Sequence, residues 1–187
     1  MAWGLFPILL ASKGFAIGQI GIITAIYPAV WGLGQLFTGR MADRFCKKDM
    51  LFLGMLMQGL VLIVLLFANT MTHFVILSCI LGWATAMVYP TFLATVAENT
   101  HPADRANSLG VFRLWRDWGY AIGAILTGSI ADTLGINASF LIIGLLTIFS
   151  SGIIFYRMQC SDNSVEKITD WIKHKMSGQP RPDYKNT

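Results

Sequence analysis

Charge is what this sequence has least of. Only 13% of its 187 residues are Asp, Glu, Lys or Arg, while 55% are hydrophobic. The charged share is about half that of a soluble domain. A soluble chain this short cannot cover so much apolar surface, so an integral membrane protein is expected. Cysteine is scarce too. Cys46, Cys79 and Cys160 are odd in number and lack metal-ligand spacing, so neither a disulfide framework nor a metal centre is expected. No Ser-His-Asp set and no phosphate loop is present in the sequence. No catalytic residue, enzymatic activity or cofactor is therefore expected.

What the sequence does have is long apolar runs. Residues 19–38, 50–68, 74–97, 109–131 and 138–156 each approach or exceed the length of about 20 residues that a helix needs to cross a bilayer. Residues 1–11 are apolar as well, but span only about half the hydrocarbon core. They read as the end of a spanning helix whose start is missing, or as a short interfacial segment. The expected fold class is an all-α membrane protein, with a helical bundle over residues 1–157. Residues 158–187 form a polar tail in which Val165, Ile168, Trp171 and Ile172 recur at helical spacing. That spacing suits an amphipathic helix on the membrane surface, and a solvated tail is the alternative.

The connections are short, so neighbouring helices are antiparallel and successive loops alternate sides. With residues 39–49 and 98–108 and the C-terminus placed in the cytoplasm, thirteen of the 14 basic residues face that side and Lys13 alone faces the other. This bias is the positive-inside pattern of a multi-pass protein of the cell membrane. It also explains the net charge of +4 through contact with anionic lipid, and nucleic acid is not an expected partner.

Polarity differs between the runs. Residues 50–68 carry Gln58 as their main polar interior residue, and residues 138–156 carry only Thr147, Ser150 and Ser151. The others hold Thr24, Tyr27, Gln35, Thr85, Tyr89, Arg113, Arg116, Asp117 and Tyr120. Polar side chains are costly against lipid. Two triplets are therefore expected, with the third helix of each on the lipid side. Tyr27-Pro28 and Tyr89-Pro90 bend their helices, and Tyr27, Gln35 and Tyr89 are candidates to line a cavity.

The loop at 39–48, GRMADRFCKK, concentrates five charges. Gly39 permits a tight helix exit, Arg40, Arg44, Lys47 and Lys48 suit the carbonyl end of the preceding helix, and Asp49 suits the amino end of the next. Asp43 has no such local explanation and requires a partner elsewhere. Gly39, Met41, Ala42, Asp43, Arg44, Lys47, Lys48 and Leu51 resemble the loop signature of the major facilitator superfamily, G-x-L-A-D-R-x-G-R-K-x-x-L. Met41 stands for Leu, and Cys46 replaces a glycine. The resemblance implies two six-helix halves of two triplets each around a central cavity, and secondary-active transport of a small solute, as yet unknown, by alternating access. It also implies that Asp43 docks on helix ends across the boundary between halves. Residues 89–135 look like the tenth and eleventh helices of such transporters, which points to the C-terminal half with its first helix truncated. The expected partners are membrane lipid and either the missing half or a second copy of the chain. The alternative is a truncated or half-size membrane subunit with a structural role and no transport of its own.

Arg113, Arg116 and Asp117 are the notable charges within an apolar run. Arg113 and Asp117 are four apart, so they share a helix face and are expected to pair. Arg116 is rotated away, near the cytoplasmic end of its helix. By the family's pseudo-symmetry it engages the signature acid of the other half, with Arg113 beside it. The alternative is snorkelling to lipid phosphate, with Trp115 and Trp118 as interface anchors.

Overall fold

The computed structural model describes residues 2–42 and 45–158. Its elements are α1 (Ala2–Ser12), α2 (Ile17–Ala42), α3 (Lys47–Val64, continued by a 3-10 turn Leu65–Phe67), α4 (Met71–Glu98), α5 (Arg105–Leu134, preceded by a 3-10 turn Pro102–Asp104) and α6 (Ile136–Arg157). The protein is thus all-α, with no strand among the described residues. Four helices, α2, α3 with its 3-10 end, α4 and α6, are long and apolar enough to cross a membrane. The 30 residues of α5 are long enough, but Arg113, Arg116 and Asp117 dilute its apolar character. Asp43 and Arg44, and the expected tail helix near Trp171, lie outside the described residues.

Short connections run the helices up and down, and α4 is the centre of the packing. It lies against α2, α3 and α5, while α6 lies against α3 and α5. The larger core cluster joins α1, α2, α3, α4 and α6 through Phe6, Leu10, Ile23, Leu62, Phe74 and Phe140. A smaller one, Ala42, Met50 and Met87, ties α2, α3 and α4 at the end bearing the charged loop, here termed the basic end. The α3–α6 crossing depends on glycine. A Cβ on Gly59 would lie 2.8 Å from the Gly144 carbonyl oxygen, and one on Gly144 would lie 3.0 Å from that of Gly59. Between its polar ends α6 exposes Leu141, Leu145, Leu146, Phe149 and Ile153, as a lipid-facing surface requires.

Pro90 shapes the α2–α4 contact. Proline has no N–H to donate, so it leaves the carbonyl four residues back, that of Ala86, without its helical partner. Thr38 of α2 fills the gap: its Oγ1 donates to the Ala86 oxygen at 2.6 Å, fully buried. Thr38→Val keeps the volume and removes the donor. The expected cost is about 1 kcal/mol, typical of an interhelical hydrogen bond in a membrane protein, read as a lower melting temperature in detergent.

At the opposite end Lys13 closes the bundle. Its Nζ donates to the carbonyls of Leu66 (3.2 Å) and Ala68 (2.7 Å) and to Asn69 Oδ1 (2.8 Å), placing a cation on the carbonyl end of α3 and its 3-10 turn. Lys13→Met removes all three bonds and is expected to cost about 1–2 kcal/mol, measurable in the same melting assay.

The basic end departs from expectation. α2 runs through Gly39 to Ala42 and α3 starts at Lys47, so Gly39 is not the exit; positive φ occurs only at Gly14 and Gly135 among the described residues. Nothing in residues 39–42 breaks a helix, and the apolar run underestimates its length because the helix continues past the lipid. Lys47 and Lys48 begin α3 instead of flanking the end of α2, which puts two cations at an unfavourable helix end. The Lys47–Glu98 ion pair at 2.8 Å, Lys48 seated 4.3 Å from the Phe155 ring centroid and Asp49 in the first turn offset this. The residue before α3 is Cys46, without a side-chain cap, so Asp49 is not the cap. Cys46 is disulfide-bonded, whereas the odd cysteine count led to no disulfide framework being expected; Cys79 is free.

Candidate functional site

Three helices carry polar and aromatic side chains at a spacing of four residues: Tyr27 and Trp31 on α2, Thr85 and Tyr89 on α4, Arg116 and Tyr120 on α5. A separation of four puts each pair on one helix face, and the fold turns these faces towards each other. Tyr27 Oη donates to Thr85 Oγ1 at 3.3 Å. The Tyr27 and Trp31 rings stack at 6.2 Å between centroids, and Trp31 meets Tyr89 edge-on at 6.1 Å. Arg116 Nη1 donates to Tyr89 Oη at 3.0 Å. The guanidinium also lies 5.3 Å from the Tyr89 ring centroid and 5.9 Å from that of Tyr120, within cation–π range.

Arg116 also pairs with its sequence neighbour: Nε donates to Asp117 Oδ1 at 3.0 Å, and Nη2 lies 2.9 Å from the same oxygen in the ion pair. The expected Arg113–Asp117 pair is not formed. The long Arg116 stem reaches back to the adjacent carboxylate while Tyr89 holds its other edge. Arg113 is exposed and has no ion-pair partner among the described residues. A guanidinium has five N–H groups, and two of those on Arg116 make hydrogen bonds, one to Asp117 and one to Tyr89. The side chain is 27% exposed.

The helix bounds place the cluster along α2, α4 and α5. Trp31, Tyr89 and Arg116 each lie roughly 14–17 Å from the basic-end terminus of their helices, Ala42, Glu98 and Arg105. Because α5 begins four residues before its apolar run, Arg116 and Asp117 fall in the middle third of the helix. Among the described residues Asp117 is the one carboxylate away from a helix end.

A sequence model of the Major Facilitator Superfamily matches residues 1–173. The chain belongs to this superfamily. It is accordingly an integral membrane protein, and its relatives support a transporter role. An uncharacterized transporter of Buchnera aphidicola subsp. Schizaphis graminum is 25% identical over 135 residues, 72% of this chain and 33% of the relative. A probable hexose phosphate transport protein of Chlamydia trachomatis is 24% identical over 159 residues, 85% of this chain and 35% of the relative. A probable L-galactonate transporter of Escherichia coli K12 is 24% identical over 136 residues, 73% and 30% of the two. The chain thus spans about a third of the length of the curated relatives it matches.

Within this superfamily member, the candidate side chains fall into two groups. Tyr27, Tyr89, Arg116 and Asp117 converge in one cluster between α2, α4 and α5. Gly39, Lys47 and Lys48 lie at the basic end, and Gln35 is half-buried on α2, one turn beyond Trp31. Asp43 and Arg44 lie outside the described residues. Sequence reasoning passed over Trp31, which joins the two tyrosines. The signal was present: Tyr27, Trp31 and Gln35 recur every four residues along one helix face.

Proposed function

We propose that this chain forms one six-helix half of a secondary-active transporter that moves a small organic anion by alternating access, and that Arg116 is the anion's anchor. The observation that carries this reading is a guanidinium in the middle third of α5, held at two edges by Tyr89 and Asp117, with three of its five N–H groups outside those two hydrogen bonds. A fixed, partly open guanidinium suits carboxylate or phosphate oxygens. The aromatic wall beside it suits the body of a sugar-sized solute. A hexose phosphate and L-galactonate, the solutes named for two relatives, are both organic anions.

The exposed face of α2 carries Gly18, Gly21, Ala25, Ala29, Gly32 and Leu36, and a Cβ on any of these glycines would meet nothing within 4 Å. Such a small-residue face suits close approach by another membrane helix, supplied in this reading by the other half. In this reading the basic end is cytoplasmic and the chain is the second half, which the resemblance of residues 89–135 supports. Asp43 docks across the boundary between halves. Arg113, exposed and three residues nearer the basic end than Arg116, meets the signature acid of the other half.

Uptake into vesicles from host membranes, with and without the gene, tests the proposal. L-galactonate, D-gluconate and glucose 6-phosphate serve as anionic probes, with glucose as the neutral one. Gene-dependent uptake of an anion, inhibited by other anions and not by glucose, is expected. Gene-dependent uptake of glucose with the anions inert would overturn it.

A further inference from the structure

The exposed face of α6 is not uniform. Towards the basic end it dips into a shallow groove of about 460 Å³, lined by Phe149, Gly152, Ile153, Tyr156 and Arg157. These positions recur at helical spacing, so they share one face, continuous with exposed Leu145 and Leu146. Gly152 forms the floor: it has no side chain, and a Cβ there would meet nothing within 4 Å. Phe149, Ile153 and Tyr156 stand exposed around it.

The groove is charged at one end only. Arg157 closes it in the last turn of α6. A cation suits the carbonyl end of a helix, which accounts for an arginine here and leaves its donors open. Arg157 is exposed and makes no ion pair or side-chain hydrogen bond among the described residues. Glu98, an acid at the same end of the bundle, is taken by Lys47. Lys48, seated on the Phe155 ring, adds a further cation beside this end of α6.

We propose that the groove is a binding site for one anionic phospholipid of the leaflet at the basic end. The lipid phosphate sits on Arg157, and one acyl chain lies over Gly152 between Phe149, Ile153 and Tyr156. The planar guanidinium fork matches phosphate oxygens. From Phe149 to Arg157 the helix rises about 12 Å, close to the roughly 15 Å that the chains of one leaflet occupy, half of the hydrocarbon core. An anionic head at the helix end with an apolar tail running inward is the chemistry that a bilayer presents to such a groove. A second copy packed in parallel through this face would instead set two Arg157 side chains against each other. A zwitterionic phospholipid carries its own cation beside the phosphate. The anionic one therefore gains from Arg157 by about fivefold, the effect of one basic residue at an anionic surface. The site does not depend on the reading of Arg116 as anion anchor.

The full chain in nanodiscs, doped with phosphatidylglycerol or phosphatidylcholine bearing a diazirine in the same acyl chain, provides the test. Photolabelled peptides are mapped by mass spectrometry. In the wild type, phosphatidylglycerol should label residues 149–157 about fivefold more than phosphatidylcholine does. Arg157→Gln should bring the two lipids to the same level. Gly152→Leu, which fills the floor, should lower labelling by both. Equal labelling of the wild-type groove by the two lipids overturns the proposal, a result that does not depend on how well a variant folds. So does an undiminished preference for phosphatidylglycerol in Arg157→Gln. A wild-type groove labelled by neither lipid overturns it as well, and means that protein covers this face.

Discussion

Gly82→Leu is expected to remove most folded protein from the membrane. Gly82 sits where α4 crosses α2, and a Cβ there would lie 2.8 Å from the Tyr27 carbonyl oxygen, 3.0 Å from Val30 Cβ and 3.2 Å from the Trp31 nitrogen. Two of these three neighbours are backbone, which cannot rotate aside. The next turn of the same seam is equally close, with a Gly34 Cβ falling 2.8 Å from Ala86 Cβ. The helices must therefore separate to admit a side chain. Separation would also break the Thr38–Ala86 hydrogen bond and pull Tyr27 and Trp31 from Thr85 and Tyr89. Overpacking typically costs about 1–3 kcal/mol, and with these losses added the total approaches the whole stability of a marginal bundle. Monodisperse yield on size exclusion and melting temperature in detergent would show it. Gly152→Leu is the control, because a Cβ on Gly152 meets nothing within 4 Å. A Gly82→Leu protein with the yield and melting temperature of that control would refute the account of the seam.

Much of the fold is legible in the sequence because lipid imposes one rule everywhere: a run of apolar residues becomes a helix, and charge is left for the ends. The rule works less well where function departs from it. It places the start of α5 at 109, because residues 105–108 are too polar for lipid, whereas the helix begins at Arg105. Those few residues move Arg116 and Asp117 from the first turns of the helix to its middle third. The rule also ends α2 early at Gly39, since a helix that leaves the bilayer loses its apolar signal and keeps its hydrogen bonds.

The partner of Arg116 was not legible. Helical spacing favours Arg113 for Asp117, but the pairing is decided by Tyr89 on another helix, which fixes the far edge of the Arg116 guanidinium. The glycine contacts Gly59–Gly144 and Gly82–Tyr27 belong to the same class. Each glycine is visible in the sequence, but its opposite backbone is set by tertiary packing alone.

Arg116→Leu is expected to have the largest effect on solute binding. A hydrogen bond to a charged group contributes about 1.5–3 kcal/mol, so losing one or two such bonds to the anion weakens binding roughly 10–1,000-fold. Arg116→Lys should restore little. An ammonium presents its donors from one point and cannot hold Tyr89, Asp117 and a solute oxyanion together as the planar guanidinium does. The substitution also affects stability, in a direction that separates the two roles of the residue. Without Arg116, Asp117 loses its ion-pair partner in the middle third of α5, a burden of up to about 2.5–3.5 kcal/mol on insertion scales. Arg116→Leu should therefore melt below the wild type. The double variant Arg116→Leu with Asp117→Asn should regain most of that loss, because the unpaired charge is gone. It should regain no anion binding, because the anchor is gone as well. Isothermal titration with L-galactonate and D-gluconate, beside melting curves of the four proteins in the cycle, reads both quantities. If the double variant recovered binding along with stability, Arg116 would be only the counter-ion that makes Asp117 tolerable in the membrane, and the anion would bind elsewhere.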